Sequence, residues 1–200
     1  MRIVVLKFSR GAPCDGSLKG MRSVAEPNIL LTRIDNRLIH GQVVTQWNAV
    51  VGANLILVAN DGVAKSDVRQ QLMDMAAPAG VAMRYFSLQK TIDVIHQASF
   101  DQLIFLVVDN PADVLTLVRG GVPIKKVNVG NMHMAEGRRQ VAASVAVDDA
   151  DVAAFKELRD LGIELEVQRV PSAPVEDASV LFESILTLVR AEADGLAHRF

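Results

Sequence analysis

One cysteine, Cys14, stands among 200 residues. No internal disulfide can form, and nothing in the chain calls for an oxidising compartment. No apolar run approaches the roughly 18 residues that a membrane helix needs. The longest, Leu103-Ile104-Phe105-Leu106-Val107-Val108, has the length of a buried strand. A charge excess is missing too: 21 Lys and Arg against 23 Asp and Glu leave a formal −2. A dedicated nucleic-acid binder would show a basic surplus. No G-x-G-x-x-G follows the first apolar run, and neither a G-x-x-x-x-G-K-[ST] loop nor a G-x-S-x-G elbow occurs. Any phosphoryl group handled here is therefore expected to come from something other than directly bound ATP.

What is present argues for one folded domain. Half of the residues are apolar (50%) and 22% are charged, a balance that disordered chains do not have. The length suits a single domain. Residues 1–27 are rich in Gly, Ser, Pro and charge and are expected to be a flexible leader or extension, or to reflect a start codon upstream of Met21. The apolar stretch Ile3–Leu6 is shorter than the ~7–15 residues of a secretion signal core. Residues 28–195 are expected to form the domain, and its expected location is the cytoplasm.

From Asn28 onward short apolar runs alternate with helical patterns. Strands are expected at 29–35, 55–58, 81–86, 103–108 and 126–129, with a single further strand at 141–147. The alternating stretch 163–170 reads as an edge strand. Helices are expected on the apolar spacings Val43, Val44, Trp47, Val50, Val51 and Val68, Leu72, Met75, Ala76. Others follow over Leu88, Ile92, Ile95, Ala98 and over Val114, Leu115, Val118, then at 148–161 and about 177–193. Ser66 is a candidate cap and Pro111 a candidate first helical residue. The methionines, among them Met73, Met75, Met132 and Met134, read as packing. Such alternation implies an open, mainly parallel α/β sheet with helices on both faces. Ligands of such sheets sit beyond the carboxyl ends of the strands. Here those ends read Arg33-Ile34-Asp35, Asn60-Asp61-Gly62, Asp109-Asn110-Pro111 and Asn128-Val129-Gly130-Asn131.

His40 falls where the first helix should begin. A helix N-terminus offers unpaired N–H groups and partial positive charge. That field favours neutral, nucleophilic imidazole and would also stabilise a phosphoryl group placed on the ring. Arg33 and Arg37 are candidates for bidentate phosphate contacts. Asp35 is a candidate to orient the ring through its other nitrogen, or alternatively to cap the loop in an Asx-turn. Gly41 would let backbone approach a phosphate, and Gln42 is a further candidate phosphate ligand. Asn131 and His133 are expected at the rim of the same cleft. His96 reads as structural or solvent-facing and His198 as part of a frayed tail. No metal site and no cofactor are expected, because no HxxxH, HxH or cysteine cluster is present.

The run Arg33-Ile34-Asp35-Asn36-Arg37-Leu38-Ile39-His40-Gly41-Gln42-Val43 resembles the active-site loop of IIB subunits of mannose/fructose/sorbose-type sugar phosphotransferase systems. It matches the pattern R-[IV]-D-x-R-L-[IL]-H-G-Q-V at every position. The resemblance continues through Val58–Asp61, Val107-Val108 and Val127–His133, over about residues 28–185; the leader has no counterpart. It implies a phosphocarrier acting as a protein-N(pi)-phosphohistidine–sugar phosphotransferase. A phosphorylated IIA protein or domain would load His40, which would pass the group to a sugar held by the membrane IIC and IID subunits. Arg37 matches an essential active-site arginine, with Asp35 and Arg33 as its loop partners. The wording is most similar to the N-acetylgalactosamine/galactosamine branch, with mannose, fructose and sorbose left open. The chain would be peripherally associated with the permease. Since two proteins must reach one ring, His40 is expected to be exposed on a flat, partly apolar rim. Two other readings compete with the phosphocarrier: a non-enzymatic flavodoxin-like anion-binding or regulatory module, and a small hydrolase or isomerase with His40 as base.

Overall fold

The computed structural model describes residues 26–177, with the side chains of Gln42 and Val43 excepted. The leader ahead of Glu26, the helix expected from about 177 and His198 lie outside the described residues. The elements follow the expected alternation. Strand β1 (Ile29–Asp35) leads into α1 (Gly41–Val51), then β2 (Leu55–Ala59) into α2 (Asp61–Ala64) and α3 (Asp67–Asp74). Strand β3 (Ala82–Phe86) leads into α4 (Leu88–Val94) and a 3-10 turn at Ile95–Gln97, and β4 (Ile104–Val108) into α5 (Pro111–Arg119). After β5 (Lys126–Asn131) come β6 (Arg139–Ala142), β7 (Val145–Val147), α6 (Asp149–Asp160), β8 (Glu164–Val167) and β9 (Glu176–Asp177).

The main sheet runs β3-β2-β4-β1-β5-β8-β9. It is parallel through β8, and the two-residue β9 pairs antiparallel at the border. Strand β4 sits between β1 and β2, and all five of its residues are buried. Its residues split between two cores. Phe105 and Val107 pack with Ile56, Val58, Val44, Trp47 and Met73 beneath α1 and α3. Ile104, Leu106 and Val108 pack with Val114, Leu117, Phe155 and Leu158 beneath α5 and α6. Neighbouring strands β1 and β4 thus send their helices to opposite faces. Their carboxyl ends form the switch point at which open sheets of this class hold ligands.

Three expectations change. The stretch 141–147 is not one strand but the end of β6, a turn and the whole of β7 in an antiparallel hairpin, and the turn at 143–144 carries no Gly or Pro to announce it. Helix α3 turns the other way round: Val68, Leu72 and Met75 are 68%, 62% and 84% exposed, while Met73 faces the core. Both ends of the helix are tied. Ser66 Oγ accepts from Arg69 N at 3.4 Å, and Asp74 accepts a 2.6 Å hydrogen bond from the Tyr85 hydroxyl on β3. Val50 and Met134 are likewise exposed rather than packed, whereas Met132 is buried.

The two-sided role of β4 yields a stability prediction. Phe105→Ala should lower the unfolding free energy by about 3–5 kcal/mol, whereas Val68→Ser should change it by no more than about 0.5 kcal/mol, both read by urea denaturation.

Candidate functional site

Five helices have an N-cap side chain that accepts a first-turn N–H: Asn60 on α2, Ser66 on α3, Ser87 on α4, Asn110 on α5 and Asp148 on α6. Helix α1 is the exception. Its N-cap is His40, whose side chain makes no capping bond, and its first turn carries no acidic residue. The first N–H groups of α1 are therefore left for another acceptor, at the switch point between β1 and β4. Gly41 follows at φ 36°, and a Cβ built on it would meet nothing within 4 Å, so the approach to this end is open.

The loop that delivers His40 is pinned from below. Arg33 points into the sheet face under α1, with only 3% of its side chain exposed. Its guanidinium donates to Asp35 Oδ2 at 3.0 Å, to Asn128 Oδ1 at 2.5 Å and to the Gln168 and Arg169 carbonyls at 3.1 Å each. The Trp47 ring centroid lies 5.2 Å from its Cζ. Burial pulls the guanidinium below its ordinary value, and the Asp35 carboxylate works against that. Gly130 makes the room: a Cβ there would lie 1.8 Å from Arg33 Cζ. Arg33 is thus a structural anchor with its donors engaged, not the free phosphate ligand expected from sequence. Neither Gly130, Asn128 nor Trp47 was singled out in the sequence, because each acts through a contact distant in the chain.

Asp35 is also placed differently from its leading expectation. Its Oδ1 is 4.0 Å from His40 Nδ1, too far for a hydrogen bond. It accepts instead from Arg37 N at 3.2 Å, the Asx-turn alternative. Asp35 O accepts from Leu38 N at 2.7 Å, and Leu38 adopts φ 55°, a region unfavourable for a side-chain-bearing residue. Leu38 and Ile39 are buried in the core beneath α1 and draw His40 inward. The side chain is 25% exposed, partly buried where an exposed ring was expected. Nδ1 lies 3.3 Å from Leu38 O, and Nε2 is buried without a partner. The Arg37 side chain is exposed and pairs with none of the described carboxylates. The Gln42 side chain lies outside the described residues.

Asn131 and His133 reach the same loop through Asn36. His96 does not: it caps a turn, with Nε2 3.0 Å from Gly121 O. Acidic groups complete the rim. Asp109, next to Asp35 across the β4–β1 pair, is bonded by Asn60 at 3.4 Å, and burial raises its carboxyl. Burial, with Asp109 nearby, pushes Asp113 up to about 6. Among the described residues no cluster of three His, Cys, Asp or Glu is arranged to hold a metal ion.

Residues 29–193 match the model of the PTS system sorbose subfamily IIB component. The chain is 56% identical over 151 residues to the N-acetylgalactosamine-specific phosphotransferase enzyme IIB component 2 of Escherichia coli, covering 76% of this chain and 96% of that protein. It is 43% identical over 145 residues to the mannose-specific EIIAB component of Escherichia coli, covering 72% of this chain and 45% of that longer protein. The crystal structure of the N-acetylgalactosamine-specific IIB component 1 from Escherichia coli superposes with a TM-score of 0.73 at 45% identity, over 75% of this chain and 99% of that one.

Two predictions follow from the charges. Arg33→Met strands the buried Asp35 carboxylate and should cost about 3–5 kcal/mol in urea unfolding; Gly130→Ala, which evicts the same guanidinium, should destabilise in the same direction. Asp113 has its folded value raised, so its contribution to stability is complete below about pH 4 and is lost as pH rises through about 6. Asp113→Asn should remove that loss. After allowance for solvent screening, the gap between wild type and variant should widen by about 1 kcal/mol from pH 4 to pH 7.

Proposed function

This chain belongs to the sorbose-subfamily IIB components of phosphotransferase systems, and we propose that His40 is the residue on which it carries the phosphoryl group. Such components are phosphotransferases that deliver a phosphoryl group to a sugar during uptake, working with a IIA partner and membrane IIC and IID subunits. The observation that carries the assignment to His40 is its position: it occupies the N-cap of the one described α-helix that no side chain caps, between Arg37 and an open glycine.

Transfer between two imidazoles asks the protein for positioning and charge stabilisation rather than covalent help. Nδ1 is the proposed attacking atom, because Nε2 is buried. Leu38 O can only accept, so its contact with Nδ1 holds the proton there; the reactive tautomer carries the proton on Nε2 instead, and its Nδ1 lone pair, turned away from that carbonyl, attacks the phosphorus of the partner's phosphohistidine. As the new N–P bond forms, the old one breaks and its electron pair returns to the donor ring. The equatorial oxygens then face the free N–H groups of α1, a contribution of about 0.3–1 kcal/mol and up to about 2 when partly buried, and the Arg37 fork. In the second step a sugar hydroxyl oxygen attacks the phosphorus, the N–P bond returns its pair to Nδ1, and the hydroxyl proton departs to solvent. Arg33 and Asp35 hold the loop in register, and Gly41 leaves room for the oxygens. Asn131 and His133 form the rim, and Gln42 is retained as a candidate ligand.

The sugar is proposed to be an amino sugar such as N-acetylgalactosamine, in line with the specificity in the name of the 56% identical relative. No described helix is long and apolar enough to cross a membrane. That fits a domain working at the cytoplasmic side of the permease. The competing non-enzymatic and hydrolase readings find no support in the family match.

Incubation with phosphoenolpyruvate, the general phosphotransferase proteins and a cognate IIA should leave an acid-labile, base-stable phosphate on this chain. His40→Ala should take up none; uptake by that variant would overturn the assignment. Arg37→Lys keeps the charge but loses the planar fork and should slow transfer roughly a hundredfold with the circular dichroism unchanged.

A further inference from the structure

Asn36 joins the His40 loop to Asn131, the last residue of β5, and to His133 just beyond it through three hydrogen bonds. Its backbone N donates to Asn131 O at 3.1 Å. Its side-chain oxygen accepts from Asn131 Nδ2 at 3.0 Å and from the backbone N of His133 at 3.3 Å. Asn131 Nδ2 also lies 2.9 Å from His133 Nδ1.

The chemistry of this chain of contacts fixes every atom in it. A backbone N–H can only donate, so the atom of Asn36 facing His133 N must be the oxygen. The atom of Asn131 facing that oxygen must then be the amide nitrogen, since two oxygens would repel. That nitrogen has two hydrogens: one goes to Asn36 and the other points at His133 Nδ1. Nδ1 must therefore be an acceptor, and the imidazole is neutral with its proton on Nε2. A doubly protonated His133 would set N–H against N–H and break the contact.

The loop needs such a hold. Leu38 sits at φ 55° two residues beyond Asn36, and His40 lies two residues further on. From the β1 side the loop is held by Asp35 and Arg33. Just beyond β5, Met132 N donates to Ser144 O and Met132 O accepts from Ala146 N, at 2.9 Å each, so the β5 end is fixed to the β6–β7 hairpin beside a cavity of about 300 Å³ lined by Asn131, His133, Gln140 and Ser144 among others. The polar contacts of Asn36 tie the loop to this fixed end. The charged and titratable groups on the surrounding elements are Asp35, Arg37 and His40 of the loop, and Glu136, Arg138 and Arg139 of the segment leading into β6.

We propose that Asn36, Asn131 and His133 form a positioning unit for phosphoryl transfer: Asn36 staples the His40 loop to the end of β5, and the staple is complete only while His133 Nδ1 is an acceptor. This inference rests on the reading of His40 as the phosphoryl carrier. None of the three need touch the phosphoryl group. They act by keeping Nδ1 of His40 and the Arg37 fork in line with the incoming phosphorus, where a displacement of about 1 Å costs up to a hundredfold in rate.

The test is single-turnover transfer from the phosphorylated IIA protein to the full chain, measured from about pH 5 to 8, the range in which histidine titrates. Asn36→Leu removes the acceptor and should slow transfer roughly tenfold to a hundredfold. The IIA concentration giving half-maximal rate should stay nearly unchanged, because docking is untouched. His133→Leu should slow transfer in the same way. His133→Asn places an oxygen where Nδ1 was and cannot be protonated. It should recover most of the loss seen in His133→Leu, and its rate should fall less on acidification than that of the wild type. His40 is common to every variant, so the difference between the curves reports on the contact at His133 Nδ1. His133 is exposed, so its two variants keep the test valid even if Asn36→Leu fails to fold. Wild-type rates in folded Asn36→Leu, or equal rates and equal acid limbs in the two His133 variants, would overturn the staple. A His40→Ala control separates the two ideas: label on that variant defeats the carrier assignment, whereas a dead His40→Ala beside an unimpaired Asn36→Leu defeats only the staple.

Discussion

The buried pairing of Arg33 with Asp35 is the constraint from which the site is built. Both side chains are within 3% of full burial, in a sheet face where an unpaired charge would cost several kcal/mol. The pair is tolerated because its remaining valences are filled: Asn128 and two carbonyls take the guanidinium, and Arg37 N takes the second carboxylate oxygen. Gly130 supplies the space by having no side chain. The network continues through Asn128 to Glu166 at 3.4 Å and on to Lys126 at 2.7 Å. It links β1, β5 and β8 across one face. A carboxylate set this rigidly at the end of β1 fixes the turn that follows, and the turn fixes where α1 begins.

What that beginning offers is a vacancy in the hydrogen-bond accounting. Every other described α-helix closes its first turn with its own N-cap side chain, while α1 starts at a histidine that does not. An anion on His40 is therefore met by donors that are already aligned and need no reorganisation. The carboxyl ends of β4 and β2 carry carboxylates, Asp109 and Asp61; burial raises Asp109 and Asp113, while Arg69 and Arg138 pull Asp109 the other way.

Much of the fold was legible in advance. Continuous apolar runs with the length of strands, separated by capped amphipathic stretches, leave few arrangements other than a parallel sheet with helices on both faces. Asn110-Pro111 and Ser66 acted as caps because their chemistry is local. Features that depend on distant partners were not legible. The apolar stripe of α3 has helical spacing, but the Tyr85–Asp74 bond to β3 turns it to solvent. The β6–β7 turn lacks the residues that usually mark one. Arg33 and Arg37 look alike in sequence, four residues apart; one is buried and saturated, the other exposed. Arg33 lies within β1 and Arg37 in the turn beyond it, and what buries Arg33 is visible only once the contents of the neighbouring strand β5 are known.

By itself the sequence determined the fold class, the strand-end origin of the site and the eleven-residue run that placed His40 at a helix start with guanidinium groups beside it. These depend on spacing and on chemistry within a few residues. Tertiary structure alone decided that Arg33 anchors rather than binds, that Asp35 braces the turn instead of the ring, and that the histidine lies half sunk with one nitrogen covered. It also decided that Asn36 reaches across to β5. Each of these is a contact between residues that the chain keeps far apart, or a direction set by burial. Such facts appear only when the sheet brings Asn128, Gly130 and Asn131 alongside the end of β1.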